Sequence, residues 1–153
     1  MTGDPFYHEG MRVLQDQRET RLLADRLEQV IVRTELTDDD RAFIATCAMV
    51  FVATADASGA PDCSYKGGAP GFVQAPDAGT ILVPDYDGNG MYRTWGNVGV
   101  NPAIALLFID FERPKRLRVL GRATVAPVPG DATGFPGAVF LVTIAVSTVF
   151  PNC

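Results

Sequence analysis

The sequence predicts a mainly β fold: six antiparallel strands closing into a barrel, with helices at the N-terminus. Three observations carry that expectation. Short apolar segments recur after about residue 48, separated by turn-forming clusters at DASG (Asp56–Gly59), PDAG (Pro76–Gly79) and the Glu112-Arg113-Pro114-Lys115 corner. One segment, AIALLFIDF, is apolar on both faces, and the next alternates Arg116, Arg118, Leu120 and Arg122 against Leu117, Val119, Gly121 and Ala123. That pairing fits a central strand beside one with a face open to water or a partner. The first forty residues instead show helical spacing.

In chain order, residues 11–33 form helix, with Met11, Leu14, Leu22, Leu23, Leu27, Val30 and Ile31 on one apolar face of an arm. Thr37 caps a second, short helix whose first turn holds Asp38, Asp39 and Asp40 and whose body reaches Phe43 and Ile44. Strands are expected at 48–55, 62–66 with an extension toward Val73, 80–83, 103–111, 117–126 and 138–149. Six strands remove their exposed edges by curling into a barrel. The division is an N-terminal helical arm over 1–42 and a barrel domain over 43–153, one structural domain overall.

The composition narrows the function. With 153 residues, 47% hydrophobic and 20% charged, the chain has room for one packed core. A net charge of −5 with no basic cluster argues against nucleic acid. MTGDPFYHEG has neither the basic start nor the apolar core of a signal peptide, and no apolar run is long enough for a membrane span, so a cytoplasmic protein is expected. Cys47, Cys63 and Cys153 form no CxxC and read as buried reduced thiols. His8 is the single histidine and stands in the N-terminal stretch, which leaves no catalytic triad to build. Spacing singles out no catalytic acid–base pair among Asp85, Asp87, Asp110 and Glu112.

The segment PDYDGNGMYRTWGNVGVNP, Pro84–Pro102, is where a helix must interrupt the strands. Asp85, Asp87 and Asn89 begin like a calcium loop, but Arg93 and Gly96 fall where its remaining ligands belong, so no metal is expected. Gly88 and Gly90 instead make a tight turn into a helix at about Met91. A helix start presents N–H groups to an anion, and Arg93 and Thr94 in its first turn add a guanidinium and a hydroxyl. Lys66, followed by Gly67 and Gly68, offers a second cation. The competing readings are a capped surface helix with a solvated Arg93 and an edge-strand lysine.

The ordered set PDCSYKGGAPGFV, PDYDGNGMYR, GNVGVNP, ALLFIDFERPKRLRVLGRATV, FPGAVFLV and FPNC resembles the pyridoxamine 5′-phosphate oxidase-like proteins, FMN-binding split β-barrels, over about Phe43–Cys153. The resemblance implies a six-stranded split barrel and a homodimer with FMN at the interface. It implies that Cys63, Ser64, Tyr65 and Lys66 run along the flavin, with Pro84 and Asp85 beside it. It also implies that Arg93 and Thr94 hold the phosphate, that Asn97 lies one turn further on, and that Arg116 reaches the flavin of the partner subunit. The cofactor implied is FMN, with F420 or haem as alternatives in this architecture. The activity implied is an FMN-dependent oxidoreductase acting on a small-molecule substrate or electron donor, the alternative being a non-catalytic cofactor-binding scaffold. Pro61 stands where pyridoxamine phosphate oxidases carry a phosphate-binding Arg, Thr94 where they carry Lys, and the chain stops at Cys153, short of their substrate-binding C-terminal segment. These departures imply a lighter grip on phosphate and a substrate other than pyridoxamine phosphate.

Overall fold

A computed structural model describes residues 5–130 and 134–151 of the chain. Two compact units divide it, residues 1–32 and residues 33–153.

In the first unit, the helix expected over 11–33 is two helices, α1 (Glu9–Gln17) and α2 (Arg21–Ile31). The break has a specific cause. Glu19 adopts the left-handed conformation with φ 57°, Thr20 N–H bonds the Gln15 carbonyl at 2.8 Å, and Glu19 N–H bonds that of Asp16 at 3.2 Å. This pair of bonds is the Schellman ending of a helix, here with Glu in place of the usual glycine. Arg12 then reaches from α1 to Asp25 on α2, Nη1 to Oδ1 at 2.6 Å, and ties the hairpin.

The second unit opens with α3 (Asp38–Ile44). As its sequence indicates, Thr37 is the N-cap: its hydroxyl accepts from Asp40 N–H at 3.1 Å, while the Asp40 carboxylate accepts from Thr37 N–H at 2.9 Å. Asp40 is buried and also receives the Arg33 guanidinium. Burial acts to raise its carboxyl, but Arg33 and the Thr37 hydrogen bonds outweigh it and hold the group below the ordinary value. Arg41 donates to the carbonyls of Ala75 at 2.9 Å and Pro76 at 2.8 Å, which fixes α3 to the strand that follows.

The remaining elements are β1 (Met49–Ala55), β2 (Pro61–Gly67), β3 (Gln74–Asp77), β4 (Thr80–Tyr86), α4 (Arg93–Val100), β5 (Ala103–Asp110), β6 (Lys115–Pro127) and β7 (Ala138–Pro151). The fold is mainly β and antiparallel, as the sequence predicts, but with seven strands among the described residues instead of six. The additional strand is β3, read from sequence as turn because Pro76 and Asp77 sit in it. It pairs with β4 through an irregular hairpin closed at Ala78-Gly79, where Asp77 accepts the Gly79 N–H at 2.8 Å. The expected extension of β2 toward Val73 is absent. The strand ends at Gly67, and Gly68 N–H and Gly71 N–H turn back to the carbonyls of Ala48 and Cys47.

The sheet order is β2-β1-β5-β6-β7-β4-β3, open between its two end strands, as in a split barrel. Alternation puts Val52, Leu106, Phe108, Val119, Ile81 and Ile144 wholly inside. Their burial is the main source of stability, at about 1.5–3 kcal/mol for each large side chain. At Gly121 in β6 the register shifts, and a Cβ there would lie 2.4 Å from the Ala145 carbonyl oxygen, so only glycine fits this crossing with β7. Central strand β5 has one face in this core. On its other face Ala105, Leu107 and Ile109 are half-buried.

Candidate functional site

The open side of the sheet is bridged by α4 and by side chains of β2 and β4. The chain leaves β4 at Tyr86, passes Gly88 and Gly90, and enters α4 at Arg93, two residues later than the turn chemistry suggests. Tyr92 is the N-cap and lies in the left-handed region at φ 50°, its ring edge-on to Phe140 at 5.9 Å. Asn89 accepts the Met91 N–H at 2.9 Å and shapes the turn. Trp95 and Val98 bury the inner face of α4. One turn into the helix, α4 is pinned to β1 by the bond from Asn97 Nδ2 to Thr54 Oγ1, 3.1 Å.

Strand alternation sends every second residue of β2 toward α4, and each meets a successive helix residue. Arg93 Nε donates to Asp62 Oδ1 at 3.1 Å, the hydroxyls of Ser64 and Thr94 are 2.9 Å apart, and Lys66 Nζ sits 4.8 Å over the Trp95 ring. Asp85, buried on β4, closes the set: its Oδ1 accepts from Trp95 Nε1 at 2.7 Å and lies 3.9 Å from Lys66 Nζ. The contact from Lys66 to Asp85 spans the gap between β2 and β4, strands that are not neighbours in the sheet.

These residues line a cleft of about 290 Å³ that runs from Asp62–Lys66 along Asp85 and Tyr86 to the turn and first residues of α4. Of the residues singled out from sequence, the cleft gathers Cys63, Ser64, Tyr65, Lys66, Asp85, Arg93 and Thr94. It does not gather three others. Pro84 is buried in β4, Asn97 is engaged with Thr54, and Arg116 is the second residue of β6, beside the turn from Asp110 to Pro114. Arg116 is the cross-strand partner of Ile109, which puts it on the outward face of the sheet.

The alternation also divides the β2 group. Cys63 and Tyr65 belong to the outward face, where the Tyr65 ring lies 6.3 Å from its cross-strand partner Phe51. Cys63 is therefore exposed, contrary to the reading of all three cysteines as buried, because it stands on the outward side of an end strand. Cys47 is buried as expected. Burial pushes its thiol up, and its Sγ bonds the Phe43 carbonyl at 3.3 Å. Cys153 lies outside the described residues.

Sequence reasoning passed over Asp62 and Trp95. Trp95 carried a signal, as the single tryptophan of the chain beside Arg93 and Thr94. Asp62 carried none, since its role depends on a helix thirty-one residues away.

The arrangement can receive an anion. Arg93 is 62% exposed in its side chain, Lys66 faces the cleft, and the first turn of α4 adds backbone N–H groups that have no acceptor within a helix. The Ser64 and Thr94 hydroxyls share one hydrogen bond and so keep a second proton to donate. The donors present therefore fit a phosphate-bearing ligand.

Among the described residues, no helix is long and apolar enough to cross a membrane. A comparison with curated proteins gives no match. Solved structures with this fold include HupZ of Group A Streptococcus, at 22% identity and TM-score 0.61, covering 76% of this chain and 93% of that one. A candidate pyridoxamine 5′-phosphate oxidase of Lactobacillus delbrueckii aligns at 23% identity and TM-score 0.59, covering 77% and 99%. An FMN-binding protein of Syntrophomonas wolfei aligns at 11% and 0.55, covering 92% and 97%. The family model for pyridoxamine 5′-phosphate oxidase matches residues 36–138, from the start of α3 through the cleft to the start of β7, and the chain belongs to that family.

Proposed function

We propose that the cleft binds FMN and that the protein is an FMN-dependent oxidoreductase working as a homodimer. The observation that carries this reading is the convergence of Lys66, Arg93 and the start of α4 on one cleft. Membership of the family and a shared fold with an FMN-binding protein support it.

Arg93 and the first N–H groups of α4 hold the phosphate, with the Ser64–Thr94 pair supplying a hydroxyl donor. Lys66, held between Asp85 and the Trp95 ring, sets a positive charge along the wall of the cleft. When bound, the flavin supplies reversible hydride or electron transfer, and the protein supplies binding, orientation and charge. The pairing of both cations with carboxylates, together with Pro61 and Thr94, favours a light hold on the cofactor.

The outward sheet face supports the homodimer. Tyr65, Phe51 and Leu107 are consecutive cross-strand partners over β2, β1 and β5, and Arg116 opposite Ile109 lies on the same face. A second copy covering this row removes apolar surface from water and brings its own Arg116 toward the neighbouring cleft. Cys47 and Cys63, both unbridged, suit a reducing cytoplasmic setting.

The visible spectrum of the purified protein, before and after addition of FMN, tests the reading. A bound flavin spectrum, with reduction by NADH or NADPH and reoxidation by oxygen or quinone, is the expected result. A haem Soret band or binding of F420 redirects the assignment, and a protein that ignores all three overturns it. Bound FMN that neither accepts nor returns electrons identifies a cofactor-binding scaffold.

A further inference from the structure

We infer that Asp62 is a specificity-determining residue of the cleft: its carboxylate competes with the ligand phosphate for Arg93 and so sets the preference between phosphorylated and unphosphorylated flavin. This rests on the FMN reading above and adds to it a residue that works against the phosphate.

The cleft has two cations, and a carboxylate faces each. The two carboxylates are not equivalent. Asp85 is buried, accepts from the Trp95 indole and lies beside Lys66, so it is fixed as part of the wall. Asp62 stands near the beginning of β2, an end strand of the sheet, with its side chain 17% exposed, and it accepts from Arg93 Nε at 3.1 Å. Arg93 is the more open partner, at 62%, so solvent and ligands reach the guanidinium from the side away from Asp62.

A phosphate that comes to Arg93 therefore gains a cation already partly neutralised and approaches a carboxylate of its own sign. Opposite charges close together favour binding and like charges oppose it with the same distance dependence. The penalty falls on the charged tail of the ligand, held at Arg93 and the Ser64–Thr94 pair, and not on a ring lying further along the cleft toward Lys66. Riboflavin, which has the ring and ribityl chain without the phosphate, is indifferent to Asp62.

The test compares dissociation constants of FMN and riboflavin for the wild-type chain, Asp62→Asn and Asp62→Glu, by equilibrium dialysis at low salt. Asp62→Asn keeps the size of the side chain and removes its charge. The expected result is FMN binding tightened about twofold to fivefold with riboflavin unchanged, the range of a partly exposed charge interaction. Added salt shrinks the difference because exposed charges are screened. Asp62→Glu keeps the wild-type ratio of the two affinities. An Asn variant that binds flavins with an unaltered FMN-to-riboflavin ratio, or holds FMN less tightly, overturns the inference and leaves the FMN reading standing. A wild-type chain and variants that bind neither flavin overturn the FMN reading, and this inference with it.

Discussion

The hydroxyl oxygens of Ser64 and Thr94 are 2.9 Å apart, and the bond between them joins the middle of β2 to the first turn of α4. Thr94 is only 4% exposed, so its hydroxyl has little recourse to water if Ser64 is removed. Ser64→Ala should lower stability by about 1–2 kcal/mol, the cost of a buried hydroxyl left unpaired. Combining it with Thr94→Val should recover part of that loss, since neither side then carries an orphan group. A double-mutant cycle in urea checks this, with a coupling energy near zero as the contrary result.

Arg93→Ala should weaken FMN binding by about tenfold or more, in line with loss of a charge-assisted phosphate contact. The unfolding free energy should stay within about 0.5 kcal/mol of wild type, because the ion pair with Asp62 is largely solvent-exposed on the arginine side. Flavin titration and thermal unfolding on the same preparation separate the two effects. Unchanged affinity would remove Arg93 from the anchor role.

Trp95→Phe retains the aromatic surface under Lys66 but deletes the N–H that Asp85 accepts at 2.7 Å. A buried carboxylate that loses such a donor costs about 1–3 kcal/mol. Asp85→Asn in the same background should be milder than the sum of the two single changes. Chemical denaturation of the four proteins measures it.

Asp40 links stability to acid pH. Its carboxyl is held below the ordinary value of 3.8 in the folded chain, so the ionised form stabilises the fold. The contribution is fully present above the unfolded value and disappears as pH falls through the lower folded value. Asp40→Asn should cost about 1 kcal/mol near neutrality, by loss of its ionised contacts with Arg33 and Thr37, and should flatten the decline of stability as pH falls through and below the ordinary value of 3.8. Urea midpoints across that range decide it.

Gly121→Ala should be among the most damaging single-methyl additions in the barrel. The new Cβ meets the Ala145 carbonyl at 2.4 Å and the Ile144 side chain at 2.9 Å, and the first is backbone that cannot move aside alone. A loss of about 2 kcal/mol or more is expected, as for overpacking against a rigid neighbour. An unfolding midpoint like that of the wild type would show that β6 and β7 can separate locally.

Much of this fold could be read from local chemistry. The Thr37 cap and the alternation of β6 each depend on residues adjacent in sequence, and the structure shows both, whereas β5, apolar on both faces, is fully buried on one face only. The departures arise where local signals mislead. Pro76 and Asp77 look like turn yet complete β3, because Arg41 of α3 bonds the carbonyls of Ala75 and Pro76 and holds the segment in place. The helix break at Glu19 was hidden because the left-handed ending usually advertises itself as glycine.

The same division applies to the site. That Lys66, Arg93 and Thr94 belong to one place was legible from the glycine turn before α4 and from their chemistry, and the cleft brings the three together. The three rungs from β2 to α4 were not, since Asp62, Ser64 and Lys66 meet Arg93, Thr94 and Trp95 only after the sheet has curled. Nor could sequence alone show that Cys63 and Tyr65 turn outward while Ser64 and Lys66 turn in.

Among the described residues, strand β2 ends the sheet, with β1 as its one ladder partner. Such a strand can peel away by surrendering a single row of backbone hydrogen bonds, whereas displacing β5 or β6 would tear two. The side of the cleft that bears Ser64 and Lys66 is therefore a more yielding wall than the central strands. Whatever fills the cleft acts as mortar between that wall and α4, so amide hydrogen exchange in β2 should slow on ligand binding well before the central strands register any change.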